Sequence, residues 1–141
     1  MNAPYTRRPH RILVADDDDG YAEALTTILG MHLGLVVVGR ARNGAEAVVL
    51  AHAFRPDAIV MDVNMTSLDG FEATQRIVGE LPFVRVVIVS GTPEAGYAER
   101  AVACGAVSFL PKDAVVETLA DTLTAGGARE ARPTLRLALA G

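Results

Sequence analysis

Five short, uninterrupted apolar runs punctuate the chain, and each is followed by a stretch whose apolar residues recur at helical spacing. The runs are Ile12–Ala15, Leu35–Val38, Ala58–Met61, Val84–Val89 and Val107–Leu110. They are rich in β-branched residues and lack polar alternation, the pattern of strands covered on both faces. In the first helical stretch Tyr21, Leu25, Ile28 and Leu29 share one face. Asn43 caps the second, with Glu46 three residues on, a variant of the capping box. Phe71, Thr74, Val78 and Leu81 line the third. Thr92-Pro93 predicts the start of the fourth, a cap followed by proline at the first helical position, and Gly105 its end. Val115, Leu119 and Leu123 mark the fifth, opened by Asp113 and closed by Gly126-Gly127. Such strict alternation implies an α/β fold with a parallel sheet between two helical layers, strand order 2-1-3-4-5. Ligands of such sheets bind at the carboxyl edge, where strands 1 and 3 part.

The chain has 141 residues, enough for one ordinary domain. The pattern assigns residues 11–127 to that domain, 1–10 to a flexible N-terminal extension and 128–141 to a linker-like tail. A net charge of −4 offers no electrostatic reason to bind nucleic acid directly. The first residues are polar and basic, unlike a signal peptide, and no run approaches the ~18 apolar residues of a membrane span. Cys104 is the single cysteine, so no internal disulfide can form, which fits a reducing cytoplasm. His10, His32 and His52 are scattered and read as surface residues rather than a zinc site.

The polar residues at the strand ends sharpen the picture. Asp16 and Asp17, within the run Asp16-Asp17-Asp18-Asp19, follow strand 1, Asp62 ends strand 3, Ser90 ends strand 4, and Lys112 follows strand 5. Lys112 is the only lysine, against twelve arginines. All five positions fall on the carboxyl edge. Several carboxylates crowded there would hold one another protonated, and a hard divalent cation relieves this. Mg²⁺ suits one or two carboxylates plus water and a phosphate oxygen. An ionised Asp62 beside it can attack phosphorus, with an ammonium and a hydroxyl as donors to the phosphoryl oxygens. Each residue taken singly also has a plainer reading: a turn cap for Asp62, helix-dipole partners for the aspartates, turn chemistry for Ser90, solvated surface for Lys112. Their joint placement is the specific feature.

Together these segments resemble the receiver domain of two-component response regulators, over roughly Arg11 to Gly127. The likeness rests on Ile-Leu-Val-Ala-Asp16-Asp17, Asp57-Ala-Ile-Val-Met-Asp62-Val-Asn-Met, Asp69-Gly70, Val-Ile-Val-Ser90-Gly, and Gly105-Ala with Phe109-Leu-Pro-Lys112-Asp113. It implies a flavodoxin-like (βα)5 fold and a switch that takes a phosphoryl group from a sensor histidine kinase. The resemblance makes Asp62 the phospho-acceptor, Asp17 the direct carboxylate ligand of Mg²⁺ and Asp16 a ligand through water, with Asn64 giving its backbone carbonyl. It makes Ser90 the switch hydroxyl, Lys112 the phosphate-pairing lysine and Phe109 the aromatic that turns inward; Asn64 and Thr92 match positions that tune dephosphorylation. Such a chain catalyses at most its own phosphorylation and dephosphorylation. Its partners would be the kinase and, once phosphorylated, a second copy, with no membrane and no nucleic acid bound directly.

Thr66 departs from the usual proline, which predicts a more mobile loop after Asp62. Lys112-Asp113 and the Ala-Gly-Gly at 125–127 are similar to the NarL/FixJ-type subgroup, in which a helix-turn-helix output domain governs transcription. The aspartate run leaves a second register, in which Asp17 and Asp18 stand in for Asp16 and Asp17, but strand length favours the first. Two rival readings use the same residues. Asp62-Val-Asn64-Met-Thr66 faintly resembles the nucleophile motif of haloacid-dehalogenase-like phosphatases, but lacks the second acid and ends the third strand rather than the first. A pseudo-receiver, an unphosphorylated protein-interaction module of the same fold, is the alternative.

Overall fold

The continuous apolar runs close up side by side as parallel strands because each exposes apolar side chains on both faces and so needs a helical layer on either side. The computed structural model describes residues 8–125. Along it run β1 (His10–Ala15), α1 (Asp19–Gly30), β2 (Leu35–Ala41), α2 (Gly44–Phe54), β3 (Ala58–Asp62), α3 (Gly70–Glu80), β4 (Arg85–Ser90), α4 (Tyr97–Cys104), β5 (Ser108–Pro111) and α5 (Val116–Thr124). The five strands form one sheet in the order β2-β1-β3-β4-β5, every neighbouring pair parallel. The predicted order is therefore observed, and β1 opens two residues earlier than the apolar run, at His10.

Alternation along each strand divides the core in two. Leu13, Ala15, Ile59, Met61, Val86 and Ile88 face the layer of α2, α3 and α4, together with Phe71, Ile77 and Phe109. Ile12, Val14, Val60, Val87 and Val89 face α1 and α5 and pack on Leu25, Leu29, Leu119 and Leu123. Of the expected α1 face, Ile28 is exposed instead. The β1–β2 pairing shifts register, with Ile12 opposite Val37 and Leu13 opposite Gly39, so that Val38 is bulged out. Gly39 lies under the Phe54 ring, which would come within 2.5 Å of any Cβ placed there.

The helix starts follow local chemistry in some places and not in others. Asn43 caps α2 by accepting the Glu46 N–H at 2.8 Å, while the Glu46 carboxylate accepts the N–H of Arg42 at 2.6 Å. A complete reciprocal box closes on α3, between Asp69 and Glu72. The expected start of α4 at Thr92-Pro93 is not found. Residues 91–96 form an exposed loop, and α4 begins after Gly96, whose φ of 90° is in the left-handed region that favours glycine. The Thr92 N–H instead donates to the Ser90 hydroxyl, so the local cap signal is diverted into the loop. Gly105 does end α4, at φ 101°. Asp113 does not open α5: its N-cap is Val115, without a side-chain bond. Gly126-Gly127, the N-terminal extension up to residue 7 and the 128–141 tail lie outside the described residues.

Candidate functional site

Parallel strands deliver their last residues to one edge, and there the acidic run meets the end of β3. Four consecutive aspartates take four different positions. Asp16 is buried beside the end of β1: its Oδ1 accepts the Asp18 N–H at 2.9 Å and its Oδ2 lies 2.7 Å from the Lys112 ammonium. Asp17 turns out toward solvent, yet one of its oxygens lies within 4.8 Å of oxygens from both Asp16 and Asp62. Asp18 caps α1, accepting the Tyr21 N–H at 3.2 Å. Asp19 receives Arg40 at 2.6 Å and Arg42 at 2.7 Å, and these two guanidinium groups hold its carboxyl below its usual range. Asp18 is engaged in the cap, and the acidic oxygens that gather here are those of Asp16, Asp17 and Asp62.

Arg40 also donates from Nε and one Nη to the backbone carbonyl of Asp16, at 3.2 and 2.8 Å, which fixes the turn that carries the two acids. Asp62, the last residue of β3, is buried, and its Oδ1 lies 3.3 Å from Lys112 Nζ. Burial and the neighbouring Asp16 raise its pKa to about 6, against the opposing pull of Lys112. Burial disfavours the Lys112 ammonium, but its bond to Asp16 and the charges of Asp62 and Asp16 outweigh that and raise its pKa. Over the ammonium, 4.4 Å from it, stands the ring of Tyr21. Burial first, then Asp16 and Asp62, push the Tyr21 phenol up to about 12.

The loop after Asp62 is tied down rather than loose. Ser67, at a left-handed φ of 67°, accepts the Ala45 N–H at 3.0 Å and donates to the Asn43 side chain at 3.2 Å. The Thr66 carbonyl accepts the Gly44 N–H at 3.2 Å, so three bonds hold the segment where a proline was missed. Gly70 is required at the start of α3, because a Cβ there would sit 2.1 Å from the Asp62 carbonyl oxygen.

Asp16, Asp17, Asp62 and Lys112 thus converge. Ser90 is one step away: it is buried at the end of β4, and its carbonyl accepts the Lys112 N–H at 2.9 Å. Asn64 is exposed in the turn that follows β3. Phe109 lies apart from the carboxylates, buried in the other layer and edge-on to Tyr97 at 5.9 Å; Tyr97 in turn meets Phe71 at 5.3 Å. Sequence reasoning did not single out Tyr21, Arg40 or Ser67 for the site. Tyr21 carried a signal, standing directly after the aspartate run at the start of the first helical face and hence near the carboxyl edge. Arg40 and Ser67 carried none, because their roles arise from contacts between elements. His52 pairs with Glu80 at 2.6 Å on the surface, between α2 and α3. No helix among the described residues is long and apolar enough to cross a membrane.

Residues 12–124 match the family model described as the response regulator receiver domain. The chain is 43% identical over 103 residues to protein-glutamate methylesterase/protein-glutamine glutaminase 3 of Anaeromyxobacter dehalogenans, covering 72% of this chain and 30% of that protein. It is 33% identical over 113 residues to response regulator GacA of Pseudomonas aeruginosa, covering 80% of this chain and 53% of that protein. The chain therefore spans a third to a half of the length of these relatives. The signal receiver domain of a NarL response regulator from Mycobacterium tuberculosis superimposes with a TM-score of 0.76 at 26% identity, covering 89% of this chain and 98% of that domain.

Proposed function

Because this chain belongs to the response regulator receiver domain family, we propose that it is a phosphorylation-dependent signalling switch in which Asp62 accepts a phosphoryl group from a sensor histidine kinase. The observation that carries the reading is the gathering of one oxygen each from Asp16, Asp17 and Asp62 within 4.8 Å, with the sole lysine of the chain 3.3 Å from Asp62. That donor set is all hard oxygen, so it fits Mg²⁺ and would not select a soft metal. Asp16, Asp17 and Asp62, with the backbone carbonyl of Asn64, would hold the ion, which when bound supplies positive charge to the phosphoryl oxygens.

The remaining chemistry belongs to the protein's own groups. An ionised oxygen of Asp62 attacks phosphorus, and the bond to the donor nitrogen breaks with its electron pair leaving on that nitrogen. Lys112 neutralises charge on one phosphoryl oxygen. The Ser90 hydroxyl accepts from Thr92, which leaves its proton to donate to another. Drawing Ser90 toward Asp62 pulls on the Thr92 amide and the loop that leads into α4, where Tyr97 and Phe109 repack. The outcome is a shift between two packings of the α4–β5–α5 face. Likeness to the transcriptional regulatory protein YxjL of Bacillus subtilis, 32% identical over 121 residues, and the Lys112-Asp113 pair support transcription regulation as the output, exerted through a further domain.

Treatment with acetyl phosphate and Mg²⁺ tests the reading. The wild-type protein gains the mass of one phosphoryl group and Asp62→Ala gains none; undiminished labelling of the variant overturns the assignment. A Mg²⁺-dependent response to beryllofluoride separates the switch from an unphosphorylated interaction module.

A further inference from the structure

We propose that Tyr21 is a positioning residue of this site, its ring face holding the Lys112 ammonium over Asp62 when the carboxylates turn to other partners. The inference rests on the phosphoryl-acceptor reading above and concerns a residue that reading does not use.

Lys112 has three attractions in the structure: Asp16 at 2.7 Å, Asp62 at 3.3 Å and the face of Tyr21 at 4.4 Å. The first two are carboxylates with another task. Asp16 belongs to the acidic cluster that fits a cation, and Asp62 is the acceptor itself. Once either turns to that task, its hold on the ammonium weakens. A lysine stem has four rotatable carbons and little orientation of its own. The aromatic ring is the one partner that the reaction leaves alone. It is also neutral, so it attracts a cation without adding a further negative charge to a cluster that already has three acids.

The placement of the ring is fixed from two sides. Its backbone N–H is anchored to the Asp18 cap at 3.2 Å, so the first turn of α1 aims it at the carboxyl edge. Its half-buried side chain packs on the core layer of α1 and α5, against which it cannot swing freely. Lys112 itself keeps only 18% of its side-chain exposure, and a cation–π contact is strongest when water is largely excluded. The third aspartate of the run therefore acts on the lysine indirectly, by holding Tyr21.

The chain's single lysine makes the test direct, because biosynthetic labelling of lysine gives one side-chain signal. The Lys112 ε-methylene protons resonate upfield in wild-type protein and in Tyr21→Phe, and return to an ordinary position in Tyr21→Leu. In a second arm, mono-, di- and trifluorophenylalanine at position 21 drain the ring face of electron density with little change in shape. The rate constant for labelling by acetyl phosphate in Mg²⁺ then falls stepwise from the Tyr21→Phe value, by about three- to tenfold at the last step. A ring that merely filled space would give a flat series. Equal lysine resonances in wild type and Tyr21→Leu, or a flat series in protein that labels normally, overturn the role of Tyr21 alone. Failure of the wild-type protein to label overturns the acceptor reading and this inference together.

Discussion

The strand β3 has an aspartate at each end, and the two have opposite fates. Asp57, just before the strand, accepts the Arg11 N–H at 2.8 Å on Oδ2. Its backbone N–H donates to the Arg11 carbonyl at 2.8 Å, and its carbonyl accepts the Arg85 N–H at 3.1 Å. Every contact ties one strand start to another: the carboxylate staples β3 to β1, and the backbone of the same residue joins β1 and β4. Asp62, at the far end, is buried beside two more acids with one lysine to offset them. Its charge is under-compensated and its pKa rises to about 6. In the proposed reading, the difference lets one strand make its first acid structural and its last one the phosphoryl acceptor. Backbone amides satisfy the former, whereas the latter is left in need of a cation.

Several substitutions would sharpen or break this contrast. The largest effect is expected at Asp62→Ala, with complete loss of labelling, whereas Asp57→Asn should label at the wild-type rate under the same assay. Lys112→Ala removes the donor nearest the acceptor and should slow labelling about a hundredfold, read as a rate constant by intact mass. Gly70→Ala forces a methyl against the Asp62 carbonyl and should lower unfolding stability by about 2–3 kcal/mol in a urea titration, since backbone rather than a flexible side chain must yield.

The pH dependence follows from the raised pKa of Asp62. In metal-free buffer the folded protein holds a proton that the unfolded chain, with the ordinary value of 3.8, has already released. The Asp62 contribution to stability therefore falls as pH rises between about 4 and 6 and then levels off. Asp62→Asn lacks this penalty and should be more stable than wild type by on the order of 2 kcal/mol above pH 6, with the gain vanishing below about pH 4. A denaturant series that shows the same gain at pH 3.5 and pH 7.5 would refute the electrostatic cause. The smallest effect is expected at Asp57→Asn, about 1 kcal/mol, because only one charge-assisted bond weakens.

The strand order and the convergence of Asp16, Asp62 and Lys112 were legible in the sequence because both follow from topology. Parallel strands deliver their last residues to the same edge however the loops run. What was not legible depends on competition between neighbours. Strand length favours Asp16 and Asp17 for the site, but nothing in four identical aspartates tells that Asp18 caps α1 and Asp19 pairs with Arg40; partners from other segments decide it. Thr92-Pro93 is a sound local start for a helix, yet the Thr92 amide is drawn to Ser90 and the helix waits until Gly96. Thr66 read as a loosening of the loop, whereas Ser67 and Gly44, from two separate segments, secure it.

The bulge at Val38 has a consequence for how the molecule behaves in a crowded solution. β2 is an outer strand, and an outer strand with regular spacing offers its free amides and carbonyls to any other extended chain. With one residue displaced, the hydrogen-bonding rhythm is out of step along its length, and an incoming strand finds no continuous partner. The opposite margin is blunted differently: β5 has only four residues and ends in Pro111, which has no amide hydrogen to offer. Both rims of the sheet thus resist edge-to-edge aggregation, and deletion of Val38 should cost solubility at high concentration before it costs the fold.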